Sequence, residues 1–526
     1  MKTFRNPILP GFYPDPSICR VGEDYYMVTS SFEYYPGIPV FHSKDLIHWR
    51  QLGHVLDRPS QLNLDDTPSS RGIYAATIRY FNGIFYVVST FVVSATGERR
   101  NFYVTAKDPA GSWSDPVWLP GAVGIDPSLF FDDDGKVYYT GNRKPPEGQQ
   151  YEKHVEIWLQ ELDLQEEQLT GPTYSLWDGA LKQIHATEGP HLYKINGYYY
   201  LVVAEGGTGH THSTTMARSK SITGPYEVAK TNPILTHRHL GRNYPIVNVG
   251  HSDFIETQNG EWYLVCLGSR PYGGNYRNLG RETFLVPFVW EDGWPVVNPG
   301  KGIVEFELPM PNLPLCRWPW LAACDHFDAA ILGDRWNFIR TPRGDFWSLS
   351  ERPGHLRLRL KPETITKVTN PSFIGRRQQH INFAARTALE FTPLTEGEVA
   401  GLVLLQNEDY QYRLESALID GEGVLRLIKR EAGAEEMLVL RPHQATGRLY
   451  LMVEAIEQNY SFYFATNSEQ WELLYDCADG RILSSDVAGG FTGAYLGMYA
   501  SSNGQPSTNH ADFDYFEYSE IFPNNG

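Results

Sequence analysis

Four ionisable side chains occupy corresponding points of a pattern that recurs through the first half of the chain. They are Asp15 in Asp15-Pro16-Ser17-Ile18, Asp126 in Asp126-Pro127-Ser128-Leu129, Glu188 in Glu188-Gly189-Pro190-His191 and His251 in His251-Ser252-Asp253-Phe254. A fifth corresponding segment, Ala75-Ala76-Thr77-Ile78, carries no charge. Paired carboxyl groups can cut a glycosidic bond: one protonates the leaving oxygen, and the other activates water or attacks the sugar directly. A third carboxylate beside them raises the pKa of one member by repulsion, which keeps an acid protonated near neutral pH. Taken singly, each is as readily a turn or capping carboxylate. Three at equivalent positions of a repeat favour a shared site.

The elements that must position them follow from the same pattern. Each segment precedes, by seven to nine residues, one of Gly22, Gly83, Gly135, Gly197 and Gly260, which lie 61, 52, 62 and 63 residues apart. After each glycine come aromatic residues and then apolar ones, as in Phe85-Tyr86-Val87-Val88 and Trp262-Tyr263-Leu264-Val265. This reads as strand, tight turn, strand. A unit of about 60 residues suits a four-stranded blade with one enlarged loop, and five units suggest a five-bladed β-propeller. With the strand before each glycine innermost, Asp15, Asp126, Glu188 and His251 come together around one axis.

From Pro287 to Pro319 the text changes to seven prolines with Trp290, Trp294, Trp318 and Trp320, which reads as a linker wrapping the first domain. After Asp325-His326-Phe327-Asp328, short alternating or apolar runs such as Leu356-Arg357-Leu358-Arg359-Leu360 and Ala400-Gly401-Leu402-Val403 predict a β-sandwich of jelly-roll or lectin-like type. The expected architecture is therefore all-β: a propeller over residues 1–315 and a sandwich over 316–526.

A net charge of −17 without any Lys/Arg-rich run argues against a nucleic-acid partner. No apolar run is long enough to cross a bilayer as a helix. Five cysteines without a CxxC pair suggest a reduced compartment. With structure beginning by Asn6-Pro7 and no leader-like segment before it, a cytoplasmic location is expected. The pairs His210/His212 and His237/His239 lack partners at metal-ligand spacing and read as polar loop residues. Asp132-Asp133-Asp134-Gly135 reads as a hairpin turn rather than a calcium loop.

Longer motifs around these residues resemble glycoside hydrolase family 43. They are Asn6-Pro-Ile-Leu-Pro-Gly-Phe-Tyr-Pro-Asp15-Pro-Ser, Gly124-Ile-Asp126-Pro-Ser-Leu-Phe, Ala186-Thr-Glu188-Gly-Pro-His-Leu-Tyr, Val249-Gly-His251-Ser-Asp and Leu279-Gly-Arg281-Glu-Thr. Asp325-His-Phe-Asp, Phe491-Thr-Gly-Ala and His510-Ala-Asp-Phe-Asp resemble the sandwich found in its β-xylosidase and α-L-arabinofuranosidase branches. The resemblance implies roles. Asp15 would be the general base, Glu188 the general acid and Asp126 the carboxylate that orients the acid and shifts its pKa. Arg281 would hydrogen-bond the terminal sugar, Phe32 and Tyr74 would line its pocket, and Phe491 would reach over from the sandwich to narrow the mouth. His251 would be the axial histidine associated with a divalent ion, often Ca²⁺. Dimers or tetramers would be the expected assemblies.

One departure bears on the substrate. Gly72-Ile73-Tyr74-Ala75-Ala76-Thr77 stands where β-xylosidases of this family carry Gly-Ile-Trp-Ala-Pro, and it resembles branches known for arabinofuranosidase activity. The reading is an exo-acting, inverting hydrolase that releases terminal α-L-arabinofuranosyl residues from pentose-containing oligosaccharides. β-Xylosidase or dual activity is the alternative. A sugar-binding protein without catalysis and a retaining enzyme acting on fructans are the further ones.

Overall fold

The computed structural model describes residues 2–522 apart from 94–95, 181–182, 320, 444–446 and 469, so Trp320 lies outside the described residues. Five antiparallel four-stranded sheets follow one another along the chain. Their first strands are Ser17–Val21, Gly72–Phe81, Ser128–Phe131, Glu188–Ile195 and Val247–Glu256. Each packs against the first strands of both neighbouring blades, and the cycle closes between Val247–Glu256 and Ser17–Val21. The fold is thus a five-bladed propeller with these strands innermost. All five repeat glycines adopt left-handed φ, from 63° at Gly22 to 86° at Gly135, as their tight hairpins require.

The composition of the blades follows from packing on both faces. The second strand of blade two, Ile84–Val92, is Ile-Phe-Tyr-Val-Val-Ser-Thr-Phe-Val, and all but its first residue are buried. Aromatic and β-branched side chains fill such a strand without alternation. The N-terminus closes the ring. Thr3–Arg5 pairs with Glu307–Pro309, and the Asn6 amide exchanges hydrogen bonds with the Leu285 backbone at 2.9 Å in both directions.

The linker begins later than the sequence suggests. Pro287, Trp290, Trp294 and Pro295 belong to the outer strands of blade five, Glu282–Glu291 and Trp294–Val297. Pro287 is tolerated because it sits at the sheet margin, where its carbonyl accepts from Asn298 N–H at 2.8 Å and no donor is needed in return. The stretch after Pro309 does cross the propeller: Cys316 N–H donates to Asp45, and Trp318 lies under the Arg50 guanidinium and donates to His48 O.

The second half forms two facing sheets. One holds eight strands, among them Leu356–Arg359, Phe383–Glu390, Arg448–Ile456 and His510–Glu520; the other holds six, among them Ser372–Arg377, Val399–Asn407 and Tyr495–Ser501. Leu356, Leu358, Leu402, Leu404, Leu451, Val453, Met498 and Phe513 fill the layer between them. The two halves are joined by more than surface contact. Phe338–Ile339 pairs with Tyr34–Tyr35 of the propeller, Tyr34 stacks on Tyr495 at 3.8 Å, and the buried Arg377 donates to Phe12 O at 2.7 Å.

Candidate active site

The repeat brings its acidic residues to one end of the inner strands. Asp15 and Asp126 stand two residues before their strands, Glu188 begins its own, and His251 lies within Val247–Glu256 beside an irregularity in the strand pairing. Asp15, Asp126 and His251 hold φ of 54°, 55° and 54°. This left-handed backbone costs a non-glycine residue about 1 kcal/mol or more and recurs at functional sites. It turns the side chain out of the strand ladder. In blade four the turn falls one residue later, on Gly189 at φ 59°. A Cβ there would lie 2.8 Å from His251 Nε2, so Gly189 lets His251 approach.

Asp15 is 5 % exposed. Its Oδ2 accepts from Ser30 Oγ at 2.6 Å, and its Oδ1 accepts from Arg281 Nη1 at 2.5 Å, with His251 Nδ1 3.8 Å away. Burial pushes its pKa up, but Arg281, His251 and the Ser30 hydrogen bond outweigh that and hold it below the ordinary carboxylate value. Asp126, also buried, moves the other way: burial, then the charges of Glu188 and Asp15, raise it well above that value, against the opposing pull of Arg281 and Arg99. Burial and the Asp15 charge raise half-buried Glu188 to about 7. Two neighbouring carboxyls that both resist ionisation titrate as a pair and retain a proton near neutrality.

The remaining wall is aromatic. Phe32, 3 % exposed and at φ 52°, has its ring centroid 5.3 Å from Tyr74 and 6.1 Å from Phe491. Phe491 comes from the sandwich and is 39 % exposed. The Arg281 guanidinium carbon lies 5.6 Å from the Phe32 ring centre and 5.8 Å from that of Phe491. Arg281 Nε is buried without a protein hydrogen-bond partner. The Tyr74 hydroxyl receives from Arg71 at 3.0 Å and donates to Ser70 O at 3.3 Å. A ring face beside fixed donors is suited to a sugar, which is apolar on its faces and polar on its rim.

All eight residues singled out in the sequence therefore lie around Arg281 or in electrostatic reach of the carboxylates. Three others were not assigned to the site by the sequence. Ser30 had no signal beyond its nearness to Phe32. His212, read as a loop residue, is buried, hydrogen-bonds Asn248 O at 2.8 Å, lowers the pKa of Asp15 and feels the charge of His251. Arg99 is exposed on the neighbouring blade, yet its charge lowers the pKa of both Asp126 and Glu188. His237 is structural, its two ring nitrogens bonded to Ile246 O and Val304 N–H.

The calcium expected at His251 is not supported. Among the described residues no group of three or more His, Cys, Asp or Glu is placed to hold a metal ion. The imidazoles near the axis, His251, His191 and His212, offer nitrogen, and Asp15 is committed to Arg281 and Ser30, whereas Ca²⁺ is bound by six to eight oxygens. These side chains do not fit a calcium cage.

Comparison with known proteins agrees with this fold. The profile of glycosyl hydrolases family 43 matches residues 4–295, and that of the beta xylosidase C-terminal concanavalin A-like domain matches residues 324–519. A xylosidase/arabinosidase of Butyrivibrio fibrisolvens is 47 % identical over 99 % of this chain and all of its own length. A non-reducing end alpha-L-arabinofuranosidase of Bacteroides ovatus is 43 % identical over 98 % of this chain and 95 % of its own. Among solved structures, a xylan beta-1,4-xylosidase from Bacillus halodurans superposes with a TM-score of 0.94 at 39 % identity, covering 98 % of this chain and 100 % of that one.

Proposed function

The chain belongs to glycosyl hydrolase family 43, and on that premise we propose that it is an exo-acting, inverting pentosidase that removes terminal α-L-arabinofuranosyl units from pentose-containing oligosaccharides. The observation that carries the reading is the divergence of two carboxyls in one site. Asp15 is held ionised by Arg281, His251 and Ser30, while Glu188 is pushed up to about 7. Environments that drive two carboxyls apart in this way assign one as base and the other as acid.

In the reaction, Glu188 donates its proton to the glycosidic oxygen as that bond breaks. Asp15 takes a proton from a water molecule whose oxygen bonds to the anomeric carbon from the opposite face. The base becomes protonated, the acid becomes ionised, and the two products are a free pentose of inverted configuration and the shortened oligosaccharide. Asp126 is raised by burial and by the charges of Glu188 and Asp15, so it shares with Glu188 the proton that the pair retains. Arg281 neutralises Asp15 and stands over the Phe32 and Phe491 rings, where its guanidinium would hydrogen-bond the terminal sugar. Phe32, Tyr74 and Phe491 form an aromatic wall against which one terminal sugar would stack, in keeping with exo action.

The preference for arabinofuranoside rests on Tyr74 and on the arabinofuranosidase relative. β-Xyloside is the second substrate, favoured by the xylosidase named among the solved structures and by the double name of the Butyrivibrio relative. All five cysteines are free, which supports action in a reducing compartment, the cytoplasm.

The test is hydrolysis of aryl α-L-arabinofuranoside and aryl β-D-xyloside, with product anomers followed by NMR. Inversion is expected, with the arabinofuranoside cleaved faster. Retention of configuration would rule out single displacement, and tight sugar binding without turnover would mark a lectin. Glu188→Ala should abolish cleavage of unactivated oligosaccharides and spare substrates with good aryl leaving groups. Equal losses on both would remove Glu188 from the acid role.

A further inference from the structure

A single hydroxyl ties the sandwich to the pocket. Ser70 lies just before the innermost strand of blade two, buried and at φ 64°. Its three polar atoms face three different parts of the site. Its Oγ accepts from Phe491 N–H at 2.8 Å, its carbonyl accepts from the Tyr74 hydroxyl at 3.3 Å, and its N–H donates to Glu33 Oε2 at 2.9 Å. Phe491 is a sandwich residue and Tyr74 a propeller residue, so the Ser70 backbone and side chain connect the two walls of one pocket.

The surroundings fix this arrangement. Glu33 follows Phe32 directly and is 1 % exposed. Arg340 of the sandwich, fully buried, donates through its backbone N–H to Glu33 O at 2.8 Å, through Nε to Thr67 O, and by ion pairing to Glu408. Ser69 Oγ donates to Glu408 as well, at 3.0 Å. Gly490, one residue before Phe491, has room for no side chain: a Cβ there would stand 2.4 Å from Ser70 Oγ. On its other side the Phe491 carbonyl lies 3.5 Å from Arg281 Nη2. The peptide on either side of the Phe491 Cα is thus anchored, by Ser70 through the N–H and by Arg281 through the carbonyl.

We propose that Ser70 is a positioning residue for sugar binding: its Oγ latches the Phe491 backbone across the mouth, and the sandwich domain's grip on the terminal sugar acts through this hydrogen bond. The proposal rests on the pentosidase reading of the site. Ser70 has no role in bond cleavage, so its loss should appear in KM. The latch adds to packing that is incomplete, because Phe491 is 39 % exposed and rests on Phe32 along one face of its ring.

The test is a double-mutant cycle with Ser70→Gly and Phe491→Ala, read on aryl α-L-arabinofuranoside. Glycine adopts the left-handed backbone freely and retains the N–H and carbonyl, so the Cβ and Oγ alone are lost. Ser70→Ala, which keeps the Cβ, is the second variant should the glycine disturb the fold. Ser70→Gly should raise KM about tenfold, the size of one lost hydrogen bond, with kcat within about twofold. In the Phe491→Ala background the same change should raise KM less than about twofold, because the ring it positions is gone. An equal rise in both backgrounds, or none in either, overturns the proposal. Amide hydrogen exchange over residues 486–495 reports the latch without turnover: faster exchange in Ser70→Gly is expected, and unchanged protection sinks the latch in a fully active enzyme. Wild-type protein inactive on both pentosides sinks the functional reading instead.

Discussion

Arg281 Nη1 stands 2.5 Å from Asp15 Oδ1, both side chains buried, and this pairing keeps the base ionised against the cost of burial. Removing the guanidinium leaves burial as the dominant influence on Asp15, so its pKa should rise. Arg281→Ala is expected to lower kcat/KM by about a thousandfold, in line with the roughly 4 kcal/mol cost of breaking a buried pair. The acid limb of its pH profile should move to higher pH. Arg281→Lys keeps the charge and loses the planar fork, so it should fall between the two. An acid limb that stays put in Arg281→Ala would mean that Arg281 does not set the charge of Asp15.

The pH profile of the wild-type enzyme follows from the two shifts. Activity requires ionised Asp15, whose pKa is lowered from 3.8, and protonated Glu188, raised to about 7. The profile of kcat/KM should therefore rise below pH 3.8, run flat through weakly acidic pH and fall through a limb near pH 7. With Glu188→Gln and an activated aryl pentoside, the residual rate should lose the alkaline limb. If the limb persists at the same pH, another group is titrating.

Gly189 offers a probe of the axis that adds only one methyl group. A Cβ there would meet the His251 ring at 2.8 Å from Nε2, in a backbone conformation that L-residues avoid. Gly189→Ala should displace His251 from Asp15 and move Glu188, its neighbour in sequence. The expected result is a loss of kcat of about a hundredfold, with both strain and misplacement contributing. Normal kcat in a folded variant would show that His251 and Glu188 tolerate independent movement.

Much of this was readable because the propeller converts sequence period into spatial equivalence. Asp15, Asp126, Glu188 and His251 lie far apart in the chain, yet the repeat brings each to the N-terminal part of an inner strand or the turn just before it. Ser30, His212 and Ser70 carry no such signal. Their partners, Asp15, Asn248 and Phe491, are fixed only when loops close over the ring, and hydrogen bonds across 15, 36 or 421 residues leave no period. Pro287 and Trp290 misled for a related reason: proline and tryptophan read as linker until the sheet margin that admits them is known. The calcium expectation came with the resemblance and is unsupported, because the side chains around His251 do not provide the oxygens.

Glu33 links the fold to pH in a way that stability measurements can follow. It is buried beneath Ser70 with one carboxylate oxygen unpartnered, and burial chiefly, with Glu408, raises its pKa from 4.5 to about 7 despite hydrogen bonds to its own and Ser70's backbone and the charge of Arg340. Between pH 4.5 and 7 the unfolded chain has released this proton while the folded chain still holds it. Stability from this group is therefore full below 4.5 and is lost as pH rises through 7. Glu33→Gln retains an acceptor for Ser70 N–H and cannot ionise. At pH 8 it should be more stable than wild type by roughly 2 kcal/mol, a rise of several degrees in Tm, and at pH 4.5 the difference should shrink towards zero. Thermal unfolding at the two pH values checks this. An equal gain at both would trace to packing and not to the buried charge.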